Sequence, residues 1–161
     1  FADALAVQLT LEGVSHRELF EAQMAVETQA VRIAAEIASG EDIERLEGQL
    51  ERLRSAAGED RTFVRESAEF HTAIVRTSGN RVLIAQFQAL RHLTWRVILP
   101  HHSRALAQQV IARHADVLSA LRARDGDRAA ALVTTHLRAV IAAHSPREGM
   151  RERENVRGGK A

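Results

Sequence analysis

Residues 103–140 read SRALAQQVIARHADVLSALRARDGDRAAALVTTHLRAV, and this stretch decides the fold. Val110, His114, Val117, Leu118 and Leu121 recur at three- and four-residue spacing, which places them on one face of a helix over about Ser103–Arg124. After a tight Asp125-Gly126-Asp127 turn, Leu132, Val133, His136 and Val140 repeat the pattern on a helix ending near His144-Ser145-Pro146. Two helices joined by so short a connection lie antiparallel. His114 is eleven residues before Asp125 and His136 nine after Asp127. At a rise of ~1.5 Å per residue they sit about 16 and 14 Å from the turn, so they are nearly level and can share a site.

Working outward, the remainder of the chain repeats the same alternation of apolar helical faces and breakers. Gly13, Gly40, Gly58, Gly79 and Pro100 fall between periodic segments, while Gly48 lies inside one. The pattern predicts a short opening helix (about Ala2–Leu11) and then a long one to Ala38, begun by the capping box Ser15-His16-Arg17-Glu18. Further helices are predicted over about Glu41–Ala56, about Asp60–Thr77, and from the N-cap Asn80 to Pro100. Only two Pro and no Tyr occur in 161 residues rich in Ala, Leu, Arg and Glu, the strong helix formers. The fold class is therefore all-α, an antiparallel bundle of six to seven helices.

Lys and Arg number 22 against 21 Asp and Glu, which excludes a polybasic nucleic-acid arm as the dominant feature. The absence of Cys excludes disulfides, thiolate metal sites and a Cys nucleophile. No apolar run reaches the ~18–20 residues of a membrane span, and no signal-peptide pattern opens the chain, so a cytoplasmic location is expected with no membrane partner. The chain begins at Phe1 rather than Met, and the expectation is a segment of a longer protein. In this division residues 1–14 are a linker or short helix, 15–146 the bundle, and 147–161 a charged, aperiodic tail expected to be disordered.

A third histidine joins the two on the hairpin. Phe63, Ser67, Phe70, His71 and Ile74 share one helical face, so His71 also points inward. It can meet His114 and His136 only if its helix packs beside their hairpin. A lone inward His is more often a hydrogen-bonded core residue than a ligand. Three of them, two at matching height, suit a divalent ion such as Zn²⁺ or Ni²⁺ with positions open to water or ligand oxygen. His16, His92, His144 and the adjacent pair His101 and His102 carry weaker signals. A metal-free bundle binding an organic ligand remains an alternative, and so does a three-His metalloenzyme, although no general base stands out beside the three.

Several ordered motifs carry a resemblance over about Leu19 to Leu137. Glu69-Phe70-His71, Ser78-Gly79-Asn80, Arg113-His114 with Leu118 and Ala120-Leu121, Gly126-Asp127 with Ala131, and His136-Leu137 occur at matching separations. With Glu21, Glu27 and Ala34-Ala35 upstream, they resemble the FadR-type (FCD) ligand-binding domain of GntR-family transcriptional regulators. The resemblance implies a homodimeric, effector-sensing bundle that is not an enzyme. It implies operator contact only through a winged helix-turn-helix domain preceding this segment. It also implies a divalent metal held by His71, His114 and His136, with a small carboxylate effector at or near it. Two positions depart from the family pattern. Ser67 stands where the family has a metal-binding Asp, and Gln23 where it often has Arg. Ser67, Gln23 and, as a replacement cation, Arg96 are the resulting candidates for ligand binding.

Overall fold

The computed structural model describes residues 2–94 and 103–158. Among them the chain forms α1 (Ala2–Leu11), α2 (His16–Ile37), α3 (Gly40–Ser55), α4 (Asp60–Thr77), α5 (Arg81–Thr94), α6 (Arg104–Arg122) and α7 (Gly126–Gly158). The described residues are otherwise turns and connections, so the all-α bundle read from the sequence is the fold.

The helix starts follow from local hydrogen bonding. At α2 the Glu18 amide donates to Ser15 Oγ (3.3 Å) while the Ser15 amide donates to Glu18 Oε2 (2.9 Å), the reciprocal box expected from the sequence. A second box, Ser39 with Asp42, opens α3 one residue earlier than the periodicity suggests. Asn80 accepts from the amides of Val82 (3.0 Å) and Leu83 (3.2 Å) and so caps α5 as expected. The hairpin turn lies slightly upstream of its sequence placement. Arg124 adopts φ 56°, with its amide bonded to the Leu121 carbonyl and the Asp125 amide to the Ala120 carbonyl. This is a Schellman end to α6, and Asp125 then caps α7 through the Arg128 amide. At its other end α7 continues beyond Pro146 to Gly158, where the sequence suggests an aperiodic tail; the Arg- and Glu-rich residues that follow Pro146 are good helix formers.

Helix α2 is the central element and packs against α4, α5, α6 and α7. Its Ala30, Ala34 and Ala35 are fully buried, as are Ala129 and Ala130 of α7 within 1%. Such small side chains let two helices approach closely, and Gly126 marks the limit of that approach. A Cβ there would lie 3.2 Å from the Arg32 Cα, closer than most packed Cβ atoms come to backbone, so one helix would have to give by a few tenths of an ångström. Around this seam, Leu46, Leu50 and Leu53 of α3, Phe63, Phe70 and Ile74 of α4, and Val117, Leu118 and Leu121 of α6 complete the main core. Fully burying each such side chain contributes roughly 1.5–3 kcal/mol. The consequence for function is positional: α4, the hairpin α6–α7 and α2 converge on one interior.

Candidate metal and ligand site

His71 of α4, His114 of α6 and His136 of α7 meet in that interior. Their ring centroids lie 4.9 Å (His71–His114), 5.1 Å (His71–His136) and 5.0 Å (His114–His136) apart. One ligand atom from each falls within 4.8 Å of the others, and all three residues are buried. The levelling of His114 and His136 deduced from residue counting is what the hairpin delivers. The placement of α4 beside it, which counting left open, brings in the third.

Each imidazole is fixed by a different neighbour. The His71 Nδ1–H donates to Glu27 Oε2 at 2.6 Å, which turns Nε2 away from Glu27. The His114 Nδ1–H donates to the Val110 carbonyl at 2.8 Å, leaving Nε2 as an acceptor. The Ser67 hydroxyl reaches that Nε2 at 3.3 Å, a weak bond that rotation of the hydroxyl releases. His136 Nδ1 is buried with no hydrogen-bond partner. Burial, and next the neighbouring His71, push His114 down to about 3 from the usual 6.5. Burial, then His114, His71 and Arg113, hold His136 well below its ordinary value. Both are therefore neutral at physiological pH, the protonation state in which imidazole is a ligand. Three buried imidazoles, two of them held neutral and one with an orphaned nitrogen, form a donor set that fits a divalent cation.

Carboxylates near the site are otherwise occupied. Glu66 is held by Gln49 (2.9 Å) and Arg65 (2.9 Å), and Glu69 by Arg91 (2.5 Å). Glu27, only 1% exposed, is the acid that touches the cluster, through His71 alone. It was visible in the sequence as a Glu within the apolar stripe Phe20-Gln23-Glu27-Ala30-Ala34, a position an acid occupies only when partnered.

Beside the histidines lies a cavity of about 200 Å³, smaller than the ~300–1,000 Å³ of drug-sized pockets and therefore suited to a small molecule. His71, His136, Ser67 and Gln23 line it, as do Arg91 and Arg113. Arg91 is neutralised by Glu69 and bonded to Thr72 Oγ1 at 2.9 Å. Arg113, one residue from His114 and half-buried, makes no ion pair among the described residues. Sequence reasoning passed over it as a cation, although it sits three residues beyond Val110 on the cavity-facing stripe. Arg96, the replacement cation proposed from the sequence, falls outside the described residues, as do His101 and His102.

Residues 18–139 match the FCD domain family. The chain is 32% identical over 139 residues to the HTH-type transcriptional repressor NanR of Cronobacter sakazakii, covering 81% of this chain and 50% of the repressor. The NanR of Klebsiella aerogenes is 31% identical over the same length and coverage. Among solved structures, E. coli McbR/YncC superimposes with a TM-score of 0.66 over 83% of this chain and 71% of that one, at 23% identity, a likeness of fold. The chain thus spans about half the length of the curated relatives it matches.

Proposed function

The chain belongs to the FCD domain family of GntR-type regulators, and from that premise we propose that it senses a small anionic effector at a divalent metal held by His71, His114 and His136. The observation that supports this most directly is the buried three-histidine cluster opening on a small cavity. Zn²⁺ or Ni²⁺ suits the donor set, and such an ion, when bound, supplies positive charge and open coordination positions for ligand oxygen.

The protein's own residues do the rest. Glu27 orients His71 and adds one negative charge behind it. The Val110 carbonyl fixes the His114 tautomer. Ser67 contributes a neutral hydroxyl where a carboxylate would balance the ion, so the site retains excess positive charge together with Arg113. A carboxylate effector offsets that excess, which makes an anion the natural occupant. The cavity takes walls from α2, α4, α5, α6 and α7, so an occupant that fits one packing of these helices better than another biases the bundle between them. In a homodimer carrying DNA-binding heads ahead of this segment, that bias would reach operator DNA in the cytoplasm. No described helix is long and apolar enough to cross a membrane.

Elemental analysis of chain purified without chelator tests the metal, beside a His71→Ala/His136→Ala double variant. About one equivalent of Zn or Ni, lost in the double variant, is the expected result. No uptake even with excess ion would retire the metal. The histidines would then hydrogen-bond an organic acid directly, the reading that Ser67 in the carboxylate position favours. The nearest buried acid, Glu27, is already committed to His71 and Gln23, which weighs against hydrolytic chemistry at this site.

A further inference from the structure

Gln23 occupies an unusual position in the cavity wall. It is 7% exposed, and its Nε2 donates to Glu27 Oε1 at 2.6 Å. Glu27 accepts from His71 through its other oxygen, so as a carboxylate it can only accept from Gln23 as well. The amide orientation is thereby forced: the NH₂ faces Glu27, and Oε1 is the end left over. That oxygen is buried and has no hydrogen-bond partner. A buried acceptor without a donor is destabilising, and native proteins keep few of them without a reason.

The rest of the wall limits what can supply the donor. Phe20, Phe63, Phe87, Leu106, Val110 and Leu137 make the lining predominantly apolar. Arg91 is spent on Glu69 and Thr72, whereas Arg113 is an uncompensated cation. Resting on the acid-binding reading above, we propose that Gln23 Oε1 accepts a hydrogen bond from a hydroxyl or amine of the bound acid. Arg113 faces its carboxylate and the aromatic and aliphatic wall covers its carbon chain. The ligand class is thus a small acid with an apolar body and one polar donor. Glu27 governs both halves of the site, because the same carboxylate that presents His71 Nε2 to the cluster also presents the Gln23 oxygen to the ligand.

The test uses the whole chain and four matched probes: hexanoate and its 2-hydroxy, 3-hydroxy and 6-hydroxy forms, titrated by calorimetry. At least one hydroxy acid is expected to bind about tenfold more tightly than hexanoate, the effect of one satisfied buried acceptor. In Gln23→Met the advantage of the hydroxy acid over hexanoate disappears, and an unchanged helical circular dichroism spectrum shows that the variant is folded. In Arg113→Met all four acids weaken together. Equal binding of the four to the unmodified chain overturns the role of Gln23 and leaves the acid reading intact. A hydroxyl preference that survives in Gln23→Met overturns it too, since another group then supplies the acceptor. Failure of all four to bind the unmodified chain overturns the acid reading and this inference with it.

Discussion

At the scale of single residues, the site is governed by who holds each imidazole. Glu27 holds His71 through a 2.6 Å bond, so Glu27→Gln keeps the shape but removes the charge that fixes the tautomer. Outer partners of metal-bound histidines typically matter by 10–100-fold, and zinc affinity measured against a competing chelator should fall by roughly that factor. An unchanged affinity would reduce Glu27 to a structural acid. Ser67→Asp works in the opposite direction: it introduces a carboxylate at the position from which the Ser67 hydroxyl now reaches His114 Nε2, and the same competition assay should show tighter zinc binding. The buried imidazoles also give the metal-free chain a characteristic pH response. His114 titrates at about 3 when folded and near 6.5 when unfolded, so between those values the unfolded chain binds a proton that the folded chain refuses. Stability therefore falls as pH drops below about 6.5, with a slope approaching ~1.4 kcal/mol per pH unit for each such histidine. His136 is shifted in the same direction and steepens the loss. Urea midpoints recorded from pH 7 down to 5 should decline accordingly, and a level profile would contradict the burial of neutral histidines.

At the scale of elements, Arg124 shows how a turn and a helix end are solved together. Its φ of 56° is strained for a residue with a Cβ, and Gly is the usual occupant of that position. Arg is compatible with it here because the guanidinium donates to the carbonyls of Glu36 (2.6 Å) and Ala38 (3.2 Å), closing the C-terminal end of α2. Arg124→Ala keeps the strain and loses the bonds, and should cost about 1–3 kcal/mol in urea unfolding. Arg124→Gly loses the bonds but relieves the strain, so it should fall between Ala and the natural residue. Equal losses for both variants would mean that the backbone strain is negligible. This pairing explains what could be read beforehand. Helix limits were legible because Ser15, Asn80 and the glycines act within one turn of chain, where spacing alone is informative. The Arg124 cap was not, because its partners lie some 88 residues away in sequence. Likewise the levelling of His114 with His136 depends only on counting across one short turn, whereas the arrival of His71 depends on how α4 packs.

At the scale of the whole molecule, the candidate site is a junction rather than a property of any one helix. The three histidines were identifiable from helical faces, but the Gln23–Glu27–His71 chain of hydrogen bonds was not, since it is α2 that delivers the first two. An ion bound there ties α4, α6 and α7 to one another, and through Glu27 to α2. At an ion concentration about 100 times its dissociation constant, binding only to the folded state adds roughly 2.7 kcal/mol of stability. That gain should be distributed unevenly. Helix α1 has α5 as its main neighbour and leaves Val7 60% and Leu11 82% exposed, so its opening is not linked to the histidines. Hydrogen exchange with and without zinc should therefore show added protection along α4, α6, α7 and the middle of α2, with α1 unchanged. Uniform protection of every helix would indicate that the bundle opens as one unit. Protection confined to a single helix would mean that the ion is held by that helix's surface groups and not by the buried cluster, because an ion shared by His71, His114 and His136 ties together the three helices that carry them.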